Sequence, residues 1–176
     1  MRDQATALRE RLRPQHQVAE VWAVATLGGE RGSLPFAREI RGLMGDARLK
    51  VCLWGDQLQD ANVVLLPAGE GLKGVRRAYM RGAHTWLLLC PATSPGLGEC
   101  LELLRELSDR CARAVYLALS GVSSVQEGDQ KVARFVDALA PELPYQPEPF
   151  GFYGPNERGV LTLAPAALKR FFAGGR

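Results

Sequence analysis

The feature that most constrains this chain is the recurrence of short Val- and Leu-rich blocks, bounded by Gly, Pro or charge, between segments whose apolar residues fall at helical spacing. A strand buried on both faces reads as a continuous apolar run, and strands alternating with helical segments build a parallel sheet covered by helices on both faces. The expected fold class is therefore α/β, with a mostly parallel, doubly wound sheet. Strands are expected at residues 19–26, 49–54, 62–66, 85–90 and 114–119, with a sixth, less regular in pattern, at 149–153. Helices are expected at 34–44, 71–82, 98–110 and 125–139. The gap 55–61 is too short for a crossover helix, which needs about ten residues with its turns. The second and third strands are accordingly expected to pair antiparallel or not to be neighbours.

With 176 residues, the chain suits one domain with small appendages, and 47% apolar against 23% charged residues rules out global disorder. Aromatic residues, at 7%, are too sparse for a base-stacking platform. A net charge of +3, from 22 basic and 19 acidic residues, falls far short of the surplus of a dedicated duplex-DNA binder, so DNA is not an expected partner. The N-terminus is charged from Arg2 onward, and no apolar run approaches the roughly 20 residues that cross a bilayer; the expectation is a cytoplasmic protein. Cys52, Cys90, Cys100 and Cys111 form no C-x-x-C pair and lie in apolar or helical stretches, which suits buried free thiols. With only His16 and His84 beside them, no metal site is expected.

Two elements flank the repeat. Residues 1–14 hold a helix, 3–12, stopped by Pro14; residues 161–176 hold an amphipathic helix from Pro165; and 15–160 form the α/β domain between them. In such a sheet the first strand-to-helix turn is the usual phosphate cradle. Here it reads Thr26-Leu27-Gly28-Gly29-Glu30-Arg31-Gly32-Ser33. A phosphate loop needs glycines whose N–H groups converge on phosphate, a lysine for the terminal phosphates and a hydroxyl for magnesium. Gly28, Gly29 and Ser33 meet that pattern, whereas Gly32 stands at the lysine, Thr26 and Arg31 stand at glycines, and Glu30 adds negative charge. The turn reads more readily as a Gly-rich connection into a helix capped by Ser33 than as a working nucleotide site. The second strand is followed by Gly55-Asp56-Gln57 and the third by Pro67-Ala68-Gly69-Glu70-Gly71, with Pro67 where a metal-binding Asp would stand. No Ser, His and Asp set or Cys and His set falls on facing strand ends, so no intrinsic catalytic residue and no ATP or magnesium cofactor is expected.

The string Asp3-Gln4-Ala5, then Leu8-Arg9, resembles the DQAxxLR element of the FlhG family (also called FleN or YlxH), MinD-like regulators of flagellar number and placement. Other segments fall into register with it. Ala23-Val24-Ala25 and the Gly-rich turn resemble the family's first strand and deviant Walker loop, with Leu27 in place of the signature lysine and Gly32 in place of the Walker lysine. Val51 to Gln57 resembles the strand that ends in Asp-Ala-Asp, without either aspartate in place. Ala61 to Leu72 resembles the strand ending in Asp-Thr-Gly-Ala-Gly-Ile, with Pro67 for the Asp. Leu87 to Leu107 resembles the V-V-T-T-P-E-P-T segment and its helix. The family implies an ATP-dependent, membrane-docking dimer that stimulates the signal-recognition-type GTPase FlhF through its N-terminal helix. This chain lacks the ATP machinery, so the activity carried over is one that needs no hydrolysis.

That resemblance assigns partner binding to Asp3, Gln4, Ala5, Leu8 and Arg9, with Gln4 acting in trans on the partner's water as a Gln does in other GTPases. Read from spacing alone, Ala5, Leu8 and Leu12 share one face of a helix that packs on the domain, or the segment is a disordered tail. At the other end, Leu168, Phe171 and Phe172 share a helical face flanked by Lys169 and Arg170. Such a helix lies in an anionic membrane interface, as MinD-like tails do, or packs on the sheet. The helix 71–82 gathers Lys73, Arg76, Arg77 and Arg81 on one face, which reads first as solvated and otherwise as a contact for an acidic partner or, as in ParA proteins, for DNA. Three readings stand side by side: a non-catalytic activator of a partner GTPase, an active ATPase of the MinD or ParA type, and a structural adaptor.

Overall fold

The computed structural model describes residues 20–28, 32–45, 50–56, 61–70, 82–109, 114–139, 141, 143, 145–155 and 161–172. In chain order the elements are β1 (Glu20–Thr26), α1 (Ser33–Gly45), β2 (Val51–Leu53), β3 (Val63–Glu70), β4 (Thr85–Pro91), α2 (Ser94–Asp109), β5 (Ala114–Ser120), α3 (Val125–Leu139), β6 (Glu148–Phe152) and β7 (Thr162–Leu163). A short α turn, Pro165–Ala167, runs into a π-helical turn, Leu168–Phe172. The strands form one sheet in the order β2-β3-β1-β4-β5-β6-β7, parallel throughout except for β7, which is antiparallel to β6.

The α/β expectation holds, and its reason is visible in β4 and β5. Both are apolar runs whose interior residues are buried, because helices cover both faces. Right-handed crossovers leave β1 leftward through α1 and leave β4 rightward through α2 and α3, so α1 lies on one face and α2 and α3 on the other. The core is aliphatic around three layers, with Leu65, Leu87, Leu88 and Leu117 on the strands, Ile40 and Met44 on α1, and Leu103 and Leu107 on α2.

Several boundaries differ from the sequence reading. β2 and β3 are adjacent and parallel, with Val51 opposite Val63 and Leu53 opposite Leu65. β2 is so short that the chain must return only about 10 Å to start β3, and nine residues, 54–62, can span about three times that distance, so a parallel return does not require a crossover helix. β3 does not stop before Pro67 but continues to Glu70, with a register shift where Val24 faces Pro67 and Ala25 faces Gly69. Proline is tolerated beside such a bulge, and Pro67 lies beyond Leu65, the last residue that β2 pairs. α2 begins at Ser94 rather than near Gly98, because the Thr93 hydroxyl accepts from the Gly96 N–H at 3.3 Å and Pro95 is compatible with a first turn. α3 spans the expected residues; Ser124 Oγ accepts from the Glu127 N–H at 3.1 Å, and the Glu127 carboxylate accepts from the Ser123 N–H at 2.7 Å. Lys131, and then the Ser123 N–H and hydroxyl, hold the Glu127 carboxyl below its usual range.

A bulge between β5 and β6 makes Phe150 an extra residue, since Leu117 faces Pro149 and Ala118 faces Gly151. This breaks the two-residue alternation. Phe150 therefore reaches Tyr116 and Phe171, while Phe152 lies under α3 at Gly128. A Cβ at Gly128 would lie 2.3 Å from the Phe152 ring, so this glycine is required by packing rather than by φ. Gly128→Ala is expected to destabilise the protein by about 1–3 kcal/mol despite alanine's better helix propensity, because the buried ring must shift. Urea denaturation measures it, and an unchanged or raised midpoint contradicts the packing described.

Candidate functional site

In an open α/β sheet, a ligand sits beyond the carboxyl ends of the strands where successive crossovers diverge. Here that point lies between β1 and β4. Leaving β1, the Leu27 N–H donates to the Leu89 carbonyl at 2.8 Å, and Gly28 follows at φ +63°, which favours glycine. A Cβ on Gly28 would lie 2.9 Å from Pro91 Cγ, and one on Gly96 would lie 2.6 Å from the Pro91 carbonyl oxygen. The prolyl ring ending β4 is thus seated between two glycines at the divergence point. The Glu99 carboxylate lies 3.9 Å from the Gly28 Cβ position, which places negative charge beside the backbone that would cradle a phosphate.

Ser33 opens α1, and Gly32 stands before it as the expected half-turn, its carbonyl accepting from the Phe36 N–H at 3.3 Å. The Ser33 hydroxyl does not cap its own helix. It accepts from the Gly69 N–H at 2.9 Å, tying α1 to the bulged end of β3. Gly69 has φ +81°, and the bulge turns its N–H out of the ladder toward the helix. The neighbouring Thr26 hydroxyl, buried at the end of β1, has no hydrogen-bond partner. Gly29, Glu30 and Arg31 lie outside the described residues.

The remaining strand ends are equally committed to structure. Asp56 accepts from the Leu53 N–H at 3.1 Å and pairs with Arg41 at 3.2 Å, closing the turn after β2. Lys131 reaches the end of β4, but its ammonium pairs with Glu127 at 2.9 Å and donates to the Ala92 carbonyl at 3.4 Å. Cys90 and Cys100 are buried free thiols on β4 and α2; their mutual hydrogen bond, and then burial, pushes the Cys100 thiol well above its usual value, which makes it inert. Cys52 is likewise free and buried, and Cys111 lies outside the described residues. No group of three or more metal-ligating side chains occurs among the described residues. A magnesium nucleoside triphosphate needs a lysine, an acidic residue at the end of β3 and an electropositive cradle; Gly32, Pro67 and Glu99 stand at or against those places, so the residues present do not fit it.

At the C-terminus the π-helical turn changes the expected faces. Leu168 is 46% exposed, whereas Phe171 is half-buried with its ring 5.3 Å from those of Trp22 and Tyr116 and 6.1 Å from that of Phe150. Leu168 and Phe171 therefore do not share one face, because a π turn advances each residue by a smaller angle than an α turn. Arg170 donates to both carboxylate oxygens of Glu148, at 2.9 and 3.0 Å, and lies over the Tyr116 ring, while Lys169 is exposed. In this conformation Phe171 belongs to the sheet rather than to a membrane face. The side chain of Phe172 lies outside the described residues, as do Asp3, Gln4, Ala5, Leu8, Arg9 and the segment 71–81. No helix among the described residues is long and apolar enough to cross a membrane. One contact had no local signal in the sequence: Glu39 of α1 accepts from the Tyr153 hydroxyl at 2.6 Å and from the Leu161 N–H at 2.9 Å, pinning the segment after β6 to the helix after β1.

The two neighbouring hydroxyls give opposite expectations. Ser33→Ala leaves the Gly69 N–H without its acceptor and is expected to cost about 1–3 kcal/mol, whereas Thr26→Val replaces an unpartnered buried hydroxyl by a methyl and is expected to be neutral or stabilising. Urea midpoints of the two variants read both, and a destabilised Thr26→Val with an unaffected Ser33→Ala contradicts the assignment.

No protein-family model matches the sequence, and no curated protein matches it. Among solved structures, the chain is similar to one from the MinC:MinD cell division protein complex of Aquifex aeolicus, with a TM-score of 0.58 and 11% sequence identity over 80% of this chain and 83% of that one. The fold is MinD-like: a mostly parallel seven-stranded sheet with helices.

Proposed function

We propose that this chain is a non-catalytic relative of the MinD and FlhG proteins that acts by binding a protein partner, a signal-recognition-type GTPase of the FlhF kind, through its N-terminal DQAxxLR segment. The observation that carries the non-catalytic part is the Ser33 hydroxyl holding the Gly69 N–H at the one turn where a phosphate loop would present it to magnesium. The Pro91 ring against Gly28 and the Glu99 carboxylate beside it support the same reading. The partner part rests on Asp3, Gln4, Ala5, Leu8 and Arg9 and their match to the FlhG element. A segment ahead of Pro14 and outside the strands and helices of the sheet would engage a partner without disturbing it, so its activity would survive loss of a nucleotide site. The similar structure from Aquifex aeolicus is itself a complex of two proteins, which accords with a protein-binding role.

In this reading Gln4 orients the partner's attacking water and Leu8 anchors the segment. A homodimer and attachment to the inner face of an anionic membrane are the family's further properties; for this chain, Leu168, Lys169 and Arg170 are the tail residues exposed to meet a lipid surface, and Arg170 would first leave Glu148.

GTP hydrolysis by an FlhF-type GTPase, measured with and without the full chain, tests the proposal. Stimulation is expected without ATP and unchanged by added Mg·ATP. Gln4→Ala is expected to lower the stimulated turnover while leaving affinity nearly intact, and Leu8→Ala to weaken binding by about 1–3 kcal/mol. No stimulation by the intact chain, or stimulation that requires ATP, overturns the reading.

A further inference from the structure

Three large apolar side chains are conspicuously exposed among the described residues, Leu34, Trp54 and Leu168, and two of them flank one charged strip. Leu34, Arg38 and Arg41 recur at helical spacing on the outer side of α1, whose inner side buries Phe36, Ala37, Ile40 and Met44. Arg41 reaches Asp56 at 3.2 Å across the end of β2, which brings the turn carrying Trp54 beside the middle of α1. Over two helical turns the strip runs about 10 Å from Leu34 to Arg41.

Among the described residues its charge is one-sided for a structural reason. The only carboxylate of α1, Glu39, is turned inward to Tyr153 and Leu161, and Asp56 is engaged by the Leu53 N–H and by Arg41. Arg38 is exposed and pairs with no carboxylate among the described residues. Among the described residues, both acids here thus serve internal contacts, while Arg38 and the outer part of Arg41 stand exposed between two apolar side chains. Trp, Arg and an aliphatic neighbour are the residue types that anchor protein interfaces.

We propose that the outer face of α1 and the turn after β2, defined by Leu34, Arg38, Arg41 and Trp54, are a docking surface for an acidic segment of a partner protein that carries an apolar anchor. The arginines complement its carboxylates, and Trp54 and Leu34 receive its apolar side chain. A nucleic acid is disfavoured because two arginines give few phosphate contacts and the strip is flanked by apolar groups. These residues are other than those of the DQAxxLR match, so the proposal is tested independently of the GTPase reading.

Trp22 and Trp86 are buried, at 3% and 0% exposure, so iodide quenching of the full chain reports on Trp54. The probe is a short synthetic amphipathic peptide of Glu and Leu, compared with its Lys-for-Glu counterpart and with a single-stranded oligonucleotide. The Glu peptide is expected to bind at micromolar concentration and to protect Trp54 from iodide severalfold, while the Lys peptide does neither. Arg38→Glu, which breaks no contact among the described residues, and Trp54→Ala are each expected to weaken binding roughly tenfold, with urea midpoints unchanged for Arg38→Glu. Equal binding of the two peptides, binding of the Glu peptide unaffected by Arg38→Glu, tighter binding of the oligonucleotide, or Trp54 already protected by self-association at the same concentration overturns the proposal.

Discussion

The hydrogen bond from the Gly69 N–H to the Ser33 hydroxyl is the contact on which the arrangement of this fold's working edge depends. It joins residues 36 positions apart, the first residue of α1 and the bulged end of β3, and so fixes where the first helix begins relative to the central strands. β3 can reach it only because its register slips beside Pro67. A hydroxyl at the head of a helix that follows a Gly-rich turn has two uses in α/β proteins: it meets a ligand, or it satisfies backbone. Here it satisfies backbone, and the surrounding groups agree with that use. Gly28 and Gly96 are small because the Pro91 ring sits between them, not because phosphate oxygens do.

The same logic extends to the other strand ends. Several polar groups at the strand ends close a turn or tie two elements, the unpartnered Thr26 hydroxyl aside: Asp56 holds the end of β2, Lys131 and Glu127 hold the start of α3 to the end of β4, and Glu39 holds the segment after β6. Short side-chain-to-backbone bonds hold the described turns at the ends of β2, β3, β4 and β6.

How much of this could be read from the chain follows from the range of each interaction. β4, β5 and α3 were plain, because a run such as Thr85–Pro91 is apolar throughout and Val125–Leu139 is amphipathic with its cap beside it. The missing lysine at Gly32 was equally plain, since it is a matter of local identity. Pro67 misled, because proline is a strand terminator unless a bulge accommodates it, and a bulge is set by the neighbouring strand. The parallel pairing of β2 and β3 was missed because strand length, not loop length, removed the need for a helix. The role of Ser33, the seat of Pro91 and the tie of Glu39 to Tyr153 have no local signature; they depend on which strand ends the topology brings together. The tail was ambiguous for a related reason: amphipathic spacing is the same whether the apolar side meets lipid or the rings of Trp22, Tyr116 and Phe150, and a π turn then redistributes the faces.

Amide hydrogen exchange at Gly69, read by NMR, tests most directly whether this edge is a structural clamp. The account predicts slow exchange in the free protein, no change in that protection or in the Gly28 and Gly69 resonances on addition of millimolar Mg·ATP, and fast exchange in Ser33→Ala. Gly69 exchanging rapidly in the free protein and becoming protected, or shifting, only when Mg·ATP is added would contradict it.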